Sequence, residues 1–167
     1  VLQPSPVPFS ESLLRSLKLP AGFEISVFAQ GLGNVRWMQV AANGDVYASL
    51  RAQGEVLLLR DTDGDGVADM RKTVARIARV HGLLLHAGKL YMVSDRALDV
   101  ADVQSDGTLS TPRRLLNDLP EGGNHPRRTL GMGPDGWLYL SVGSTCNNCL
   151  EANPENATLL RLRPDGT

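Results

Sequence analysis

The chain has 167 residues, enough for one domain with a hydrophobic core and too few to assume two. It carries 17 Lys and Arg against 18 Asp and Glu, a net charge of −1, so we expect no bulk attraction to nucleic acid and no nucleic-acid partner. No apolar run approaches the roughly 20 residues needed to cross a bilayer, so no membrane span is predicted. The 17 glycines and 10 prolines favour short strands joined by turns.

Residues 1–22 are predicted to form a lead-in with one short helix. The first eight residues are rich in proline, which indicates an extended chain. Ser10 is a suitable cap for a helix in which Leu13, Leu14 and Leu17 share one face. The helix is expected to end before the proline that follows this face.

An internal repeat occupies residues 23–167, in which each unit reads as an apolar strand, a turn with glycine, and a second strand with a central tyrosine. The tyrosines, Tyr47, Tyr91 and Tyr139, lie 44 and 48 residues apart. A period in the forties with about four short strands per unit is typical of a β-propeller blade. We therefore predict an all-β fold of four-stranded antiparallel blades, with blades at residues 23–71, 72–124 and 125–167.

About three blades are present, and three blades cannot close a propeller, for which four is the usual minimum. We expect either a fragment of a longer protein or a half-propeller that a partner chain completes. An open stack of antiparallel sheets, or a sandwich, is the alternative fold that the pattern leaves open.

An acidic loop carries the most specific local motif in the chain. Asp61, Asp63, Asp65 and Asp69 place carboxylates around two glycines, and the carbonyl of Val67 adds another oxygen. Loops of this kind wrap oxygen ligands around Ca²⁺. The EF-hand pattern is incomplete because a lysine stands at the twelfth position, where that motif has glutamate. A structural Ca²⁺ site is one interpretation, and a solvated acidic turn between strands is the other.

The two cysteines, Cys146 and Cys149, form a Cys-x-x-Cys loop in an insertion that lengthens the third repeat. Haem attachment needs a histidine directly after the motif, a zinc site needs two more ligands, and a redox pair usually begins a helix in a βαβ unit. The sequence offers none of these settings, which leaves a small structural disulfide or two reduced thiols. A disulfide indicates a periplasmic or secreted protein, because the cytosol is reducing.

Basic or ionisable residues stand just before the innermost strand of every unit. Arg36, His81 and Arg128 lie 10 or 11 residues ahead of the corresponding tyrosine. In a propeller such positions surround the mouth of the central channel, so we expect the three side chains to converge on an anionic ligand. His125 would lie at the same rim, where a neutral imidazole can act as a general base. The alternative for His125 is a turn or packing residue.

The sequence resembles the glucose/sorbosone dehydrogenase family of quinoproteins, and its sorbosone dehydrogenase-like branch in particular. The resemblance extends over about residues 19–167 and rests on LPAGFEISVFAQGL, RDTDGDGVAD, GNHPRRTLGMGPDGWLYLSVGS with the following CNNC, and ATLLRLRPDG. It implies a six-bladed propeller, of which this chain would be half, that binds pyrroloquinoline quinone (PQQ) with Ca²⁺ over the central channel. The implied reaction is oxidation of an aldose or sugar aldehyde, with an external electron acceptor.

The resemblance also implies roles for individual residues. His125 matches the family's catalytic base, which removes the proton of the sugar hydroxyl while a hydride passes to the quinone. Arg128 and His81 are expected to contact the cofactor, and Arg36 belongs to the same ring by its position in the repeat. The family's remaining cofactor and Ca²⁺ ligands belong to blades after Thr167, and the acidic loop is not that calcium site.

The expected partners are the small sugar substrate, the electron acceptor, and a second half-propeller or the missing C-terminal blades. The alternative function is a non-enzymatic, calcium-stabilised propeller module that binds carbohydrate or protein.

Overall fold

The computed structural model describes Ser5 and residues 7–167, and strands dominate this part of the chain. The predicted extended lead-in lies mostly outside the described residues. The short helix is present as α1 (Glu11–Ser16), although the Ser10 hydroxyl makes no cap hydrogen bond and instead contacts Ser12 Oγ at 2.8 Å. Within the described ranges, no helix has the length and apolar character needed to span a bilayer.

The strands form three antiparallel sheets, in each of which neighbouring strands follow the order of the chain. We call these sheets blades 1, 2 and 3. Blade 1 contains β1 (Val35–Val40), β2 (Val46–Leu50), β3 (Glu55–Arg60) and β4 (Met70–Arg76); blade 2 contains β5 (Gly82–His86), β6 (Lys89–Val93), β7 (Leu98–Asp102) and β8 (Arg113–Leu116); blade 3 contains β9 (Leu130–Met132), β10 (Leu138–Val142) and β11 (Thr158–Leu162).

The all-β prediction is confirmed, with two local differences. Blade 3 has three strands among the described residues, whereas four were predicted for each blade. The predicted boundary between residues 71 and 72 falls inside β4, because the outer strand of blade 1 continues through Arg76.

Glycine turns place the repeated tyrosines in the second strand of every blade. Gly44, Gly88 and Gly136 connect the first two strands and have φ values of +89°, +71° and +76°, a backbone conformation that residues with a Cβ rarely adopt. These turns set the register, so that Tyr47 and Tyr91 lie in the middle of buried strands.

Two hydrophobic clusters hold the blades together. The cluster between blades 1 and 2 includes Tyr47, Leu58 and Leu90, and the cluster between blades 2 and 3 includes Leu98 and Leu140. Burial of this apolar surface is the main favourable contribution to the stacking. The stacking also brings the first strand of each blade, β1, β5 and β9, next to one another, so the loops that enter these strands meet at one end of the stack.

Candidate functional site

A groove of about 400 Å³ lies where the loop before β9 meets the end of β2. Arg51, Asn124, His125 and Arg127 line it together with Gly143. The groove therefore combines an imidazole with two guanidinium groups, a composition that attracts anions. Arg127 makes no ion pair with any described carboxylate, so its charge is free to meet a ligand.

A larger cavity of about 770 Å³ separates the N-terminal segment from blade 1. Its walls are mainly aliphatic, with Leu14, Ile25, Val27 and Leu32 among them, and no histidine contributes to it. Size alone does not identify a reactive site, because proton transfer needs a titratable group within hydrogen-bond reach of the substrate. The smaller groove is therefore the candidate active site.

The ring of His125 is oriented by the residue that follows Gly143. Its Nδ1 lies 3.0 Å from the Ser144 carbonyl oxygen and 3.0 Å from Ser144 Oγ. With the proton on Nδ1, the ring donates to the Ser144 carbonyl and keeps a lone pair on Nε2; with the proton on Nε2, Nδ1 accepts from the Ser144 hydroxyl. His125 itself is exposed, which gives a ligand access to the ring.

Glycines allow the His125 loop to approach blade 3 closely. A Cβ on Gly143 would lie 2.7 Å from the Cβ of His125, and a Cβ on Gly123 would lie 2.6 Å from the Cα of Thr145. The Asn124 amide also donates to the Thr145 carbonyl at 2.9 Å. Larger residues at these two glycines would therefore push the loop away from the strand end that orients the imidazole.

Arg128 lies beneath the groove, although it was predicted to face an anionic ligand. Its side chain is fully buried, with 0% of its surface exposed. Nη2 donates to the Pro120 carbonyl at 2.7 Å, and Nη1 donates to the His125 carbonyl at 3.4 Å. Burial lowers the pKa of the Arg128 guanidinium, and nearby Asp95 acts in the opposite direction.

His81 is also buried, and it connects Arg128 to blade 1. His81 Nδ1 donates to the Arg128 carbonyl at 2.8 Å, and the His81 carbonyl accepts a hydrogen bond from Ser49 Oγ at 2.5 Å. Burial lowers the pKa of His81, and the positive charges of Arg36, Arg127 and Arg51 lower it further, while the bond to the carbonyl opposes both effects. The ring is therefore neutral at neutral pH.

The predicted convergence of Arg36, His81 and Arg128 is met in part. His81 and Arg128 are in direct contact, and Arg36 is close enough to influence the pKa of His81. The Arg36 guanidinium donates to Asn34 Oδ1 at 3.4 Å. Contact of these three side chains with a cofactor stays a prediction, and the buried positions of His81 and Arg128 favour an indirect role for both.

An interblade ion pair at the groove was not predicted. Arg51 Nη2 donates to both carboxylate oxygens of Asp95, at 3.0 and 2.8 Å, and Arg79 reaches the same carboxylate at 3.2 Å. Arg51, Asp95 and Gly143 each lie four residues after the repeated tyrosine, at the end of the second strand of their blades. Counting forward from each tyrosine, as well as backward, would have found them.

The acidic loop brings part of the predicted calcium set together. Ligand atoms of Asp61, Asp63 and Asp65 lie within 4.8 Å of one another. The Asp61 carboxylate accepts the amides of Gly64 and Gly66 at 2.7 and 2.8 Å, and the bond from Gly66 is the main reason that its pKa is lowered.

Asp69, the fourth carboxylate predicted to bind Ca²⁺, does not belong to this cluster of three. The Asp69 carboxylate accepts hydrogen bonds from the amide and hydroxyl of Thr62, and the Val67 amide donates to Asp65. Calcium binding stays a prediction.

Cys146 and Cys149 are joined by a disulfide, with Cα atoms 6.0 Å apart. The disulfide alternative is therefore the one that the structure contains. Directly before it, the amide and hydroxyl of Thr145 donate to the two carboxylate oxygens of Glu151, at 2.7 and 2.8 Å. These bonds close the inserted loop next to Ser144, the residue that orients His125.

The stacked antiparallel blades define a β-propeller, and comparison with solved structures supports this class. The chain is similar to the holo form of the PQQ domain of pyranose dehydrogenase from Coprinopsis cinerea, with a TM-score of 0.67 and 20% identity over 78% of this chain and 32% of that one. It is also similar to the PQQ-bound form of an aldose sugar dehydrogenase from Streptomyces coelicolor, with a TM-score of 0.67 and 17% identity over 85% and 48% of the two chains.

A third similar structure is the calcium structure of a Trichoderma reesei carbohydrate-active enzyme of family AA12, with a TM-score of 0.65 and 21% identity over 77% of this chain and 34% of that one. No protein-family model and no curated protein sequence matches the chain. The chain spans about a third to a half of the length of these solved structures. At such identities the likeness establishes the fold, and the predicted resemblance to quinoprotein sugar dehydrogenases is confirmed at that level.

Proposed function

We propose that the chain is the N-terminal part of a PQQ-dependent sugar dehydrogenase in which His125 is the general base toward an aldose or sugar aldehyde. One observation carries the proposal: an accessible imidazole with an oriented Nδ1 stands at the edge of a cationic groove. The fold shared with structures named as sugar dehydrogenases supports the same choice.

The chemistry of His125 follows from its contact with Ser144. In the tautomer with the proton on Nδ1, the ring donates to the Ser144 carbonyl, and Nε2 has the lone pair that accepts the proton of a sugar hydroxyl. The imidazolium that results keeps its Nδ1–H bond to the same carbonyl, which stabilises the new positive charge. Ser144 also prevents the ring from rotating away, so the base is aligned before the substrate arrives.

The groove residues fit a polycarboxylate cofactor. When bound, PQQ supplies a quinone that accepts the hydride of the sugar. Arg127 would hold one carboxylate, because it lines the groove and has no carboxylate partner among the described residues. Arg51 adds a second cation, although it shares its charge with Asp95. Arg36 would act at the outer rim, and the opposite wall would come from further blades.

Two further features agree with this function. The Cys146–Cys149 disulfide suits a periplasmic or secreted enzyme, because disulfides persist in oxidising compartments. A Ca²⁺ ion at the Asp61, Asp63 and Asp65 cluster would have a structural role, since the cluster joins β3 to β4 and contains no base.

The test uses the chain extended through the further blades of the proposed propeller, with PQQ, CaCl₂, a panel of aldoses and a redox dye. We expect PQQ to bind, and any aldose-dependent dye reduction to fall about 10²- to 10⁴-fold in His125→Ala, the usual contribution of a general base. His86→Ala is the matched control, because His86 is an exposed histidine at the end of β5.

Two outcomes would contradict the proposal: no PQQ binding by the extended protein, or full dye reduction by its His125→Ala variant. Binding of free sugar in the absence of PQQ, with no dye reduction, would favour the non-enzymatic carbohydrate-binding module instead.

A further inference from the structure

Arg128 is an unusual buried residue. Its side chain has no exposed surface, and no described carboxylate forms an ion pair with it. Two carbonyl oxygens accept hydrogen bonds from its Nη atoms, and its Nε has no partner. Asp95 is near enough to raise the pKa of Arg128, but without a direct ion pair the buried charge still lowers the stability of the folded state. Burial of this charge reduces the free energy of unfolding, so we look for the role of Arg128 in the groups that its guanidinium contacts.

The guanidinium holds the loop that carries His125. The loop between β8 and β9 contains no helix or strand, so few ladder hydrogen bonds restrain it. Arg128 reaches back to Pro120 near the start of this loop and to the carbonyl of His125 itself. The buried Arg128 side chain thus links two parts of the loop by hydrogen bonds, while the imidazole of His125 remains exposed to solvent.

The backbone of Arg128 is anchored from the opposite side. Its carbonyl accepts the hydrogen bond from His81 in blade 2, and the His81 carbonyl accepts the bond from Ser49 in blade 1. The close approach requires Gly82, since a Cβ there would lie 2.7 Å from the Arg128 carbonyl oxygen. A chain of hydrogen bonds, buried except for the last, therefore connects the three blades and ends at the carbonyl of His125.

We propose that Arg128 is a positioning residue that fixes the backbone of His125 against Ser144, with His81 and Ser49 as its anchors. The importance of this role for catalysis rests on the proposed function of His125. The positioning itself does not, because it concerns the loop of the unliganded chain and is measured without cofactor or substrate.

The test is amide hydrogen exchange of the 167-residue chain and of Arg128→Met, which keeps most of the side-chain volume and removes the donors. We expect the amides of Asn124 and His125, which donate to the carbonyls of Thr145 and Gly122, to exchange about tenfold faster or more. Amides in β6 should keep their rates. Arg127→Met is the matched control, because Arg127 is the neighbouring arginine but lines the groove.

A second readout is the ¹⁵N chemical shift of the His125 ring, which reports the tautomer. In Arg128→Met we expect the protonated Nδ1 signal to give way to an average of both tautomers, because the ring no longer stays against Ser144. Arg128→Lys should restore part of the exchange protection and of the tautomer signal, since an ammonium can still donate to Pro120.

Unchanged exchange at Asn124 and His125 in a folded Arg128→Met would overturn the proposal. Equal acceleration in β6 would do the same, because it would show a general loss of stability. If Arg128→Met does not fold, the criteria pass to Arg128→Lys, in which retention of full protection would overturn it. Faster exchange with undiminished dye reduction would sustain the positioning role and contradict the base role of His125.

Discussion

His125 and Arg128 are three residues apart, yet they have opposite environments. His125 is exposed at the groove, and Arg128 is fully buried beneath it. The sequence motif placed both at one rim, which is correct for their backbones. It did not predict that the longer and always charged side chain would point inward, because the acceptors for it are backbone carbonyls that a residue pattern does not display.

His81 makes the stability of the chain depend on pH. Its pKa is lowered mainly by burial, so below the ordinary value of about 6.5 the unfolded chain binds more protons than the folded chain. We expect the free energy of unfolding to fall as the pH is lowered from about 7, and this dependence to weaken in His81→Gln. Urea unfolding at several pH values measures it, with His86→Gln as the control. An identical pH dependence in His81→Gln would contradict the assignment.

Tyr47 provides a test of the contact between blades 1 and 2. Its buried hydroxyl donates to the Gly107 carbonyl at 2.7 Å, so Tyr47→Phe leaves a buried acceptor without its partner. We expect a loss of about 1–2 kcal/mol in the free energy of unfolding, measured by urea denaturation. Tyr139→Phe is the control, because Tyr139 bonds to the carboxylate of Asp135 near the surface, and it should lose less. Equal losses would argue against the interblade bond.

The ends of β2, β6 and β10 show how one repeated position acquires three functions. The residue four places after the tyrosine is Arg51 in blade 1, Asp95 in blade 2 and Gly143 in blade 3. The first two form an ion pair between blades, and the glycine leaves room for His125. Equivalent strand ends meet because the blades stack, which explains why residues 44 positions apart in the chain come together.

Gly143→Ala should disturb the site from the end of β10. The added Cβ would lie 2.7 Å from the Cβ of His125, so the loop must move to relieve the clash. We expect a loss of about 1–3 kcal/mol in the free energy of unfolding, together with loss of the His125 tautomer signal. Gly131→Ala is the control, because nothing lies within 4 Å of the added atom there. An unchanged free energy of unfolding and an unchanged tautomer signal in Gly143→Ala would show that the loop accommodates the added methyl group without loss of stability.

The outer face of blade 3 is not covered by another blade of the described chain. On blade 3 this face includes Tyr139, Arg161 and Leu159, and Leu159 is 62% exposed. The corresponding faces of blades 1 and 2 are covered by the next blade in the stack. In addition, the outer edge of β11 pairs with no strand of the described chain. Exposed apolar surface beside an open edge favours association with another blade.

We therefore expect the isolated chain to self-associate through blade 3, as the proposed second half-propeller would require. Light scattering at increasing concentration should show a mass above that of the 18.0 kDa monomer. Leu159→Lys should shift the equilibrium toward the monomer, because it places a charge in the contact. Leu150→Lys is the control, since Leu150 is 99% exposed in the inserted loop. A strict monomer at all concentrations would exclude this assembly.

The sequence alone determined the repeated strands, the turn glycines and the position of His125 at the entrance to blade 3, because these depend on local spacing and backbone preference. Only the tertiary structure decided that Arg128 is buried, that Arg51 pairs with Asp95, and that Ser144 orients the imidazole. These contacts join residues from different blades, or residues that precede and follow the same hairpin. Their partners are selected by the stacking of whole sheets, which no local pattern of residues records.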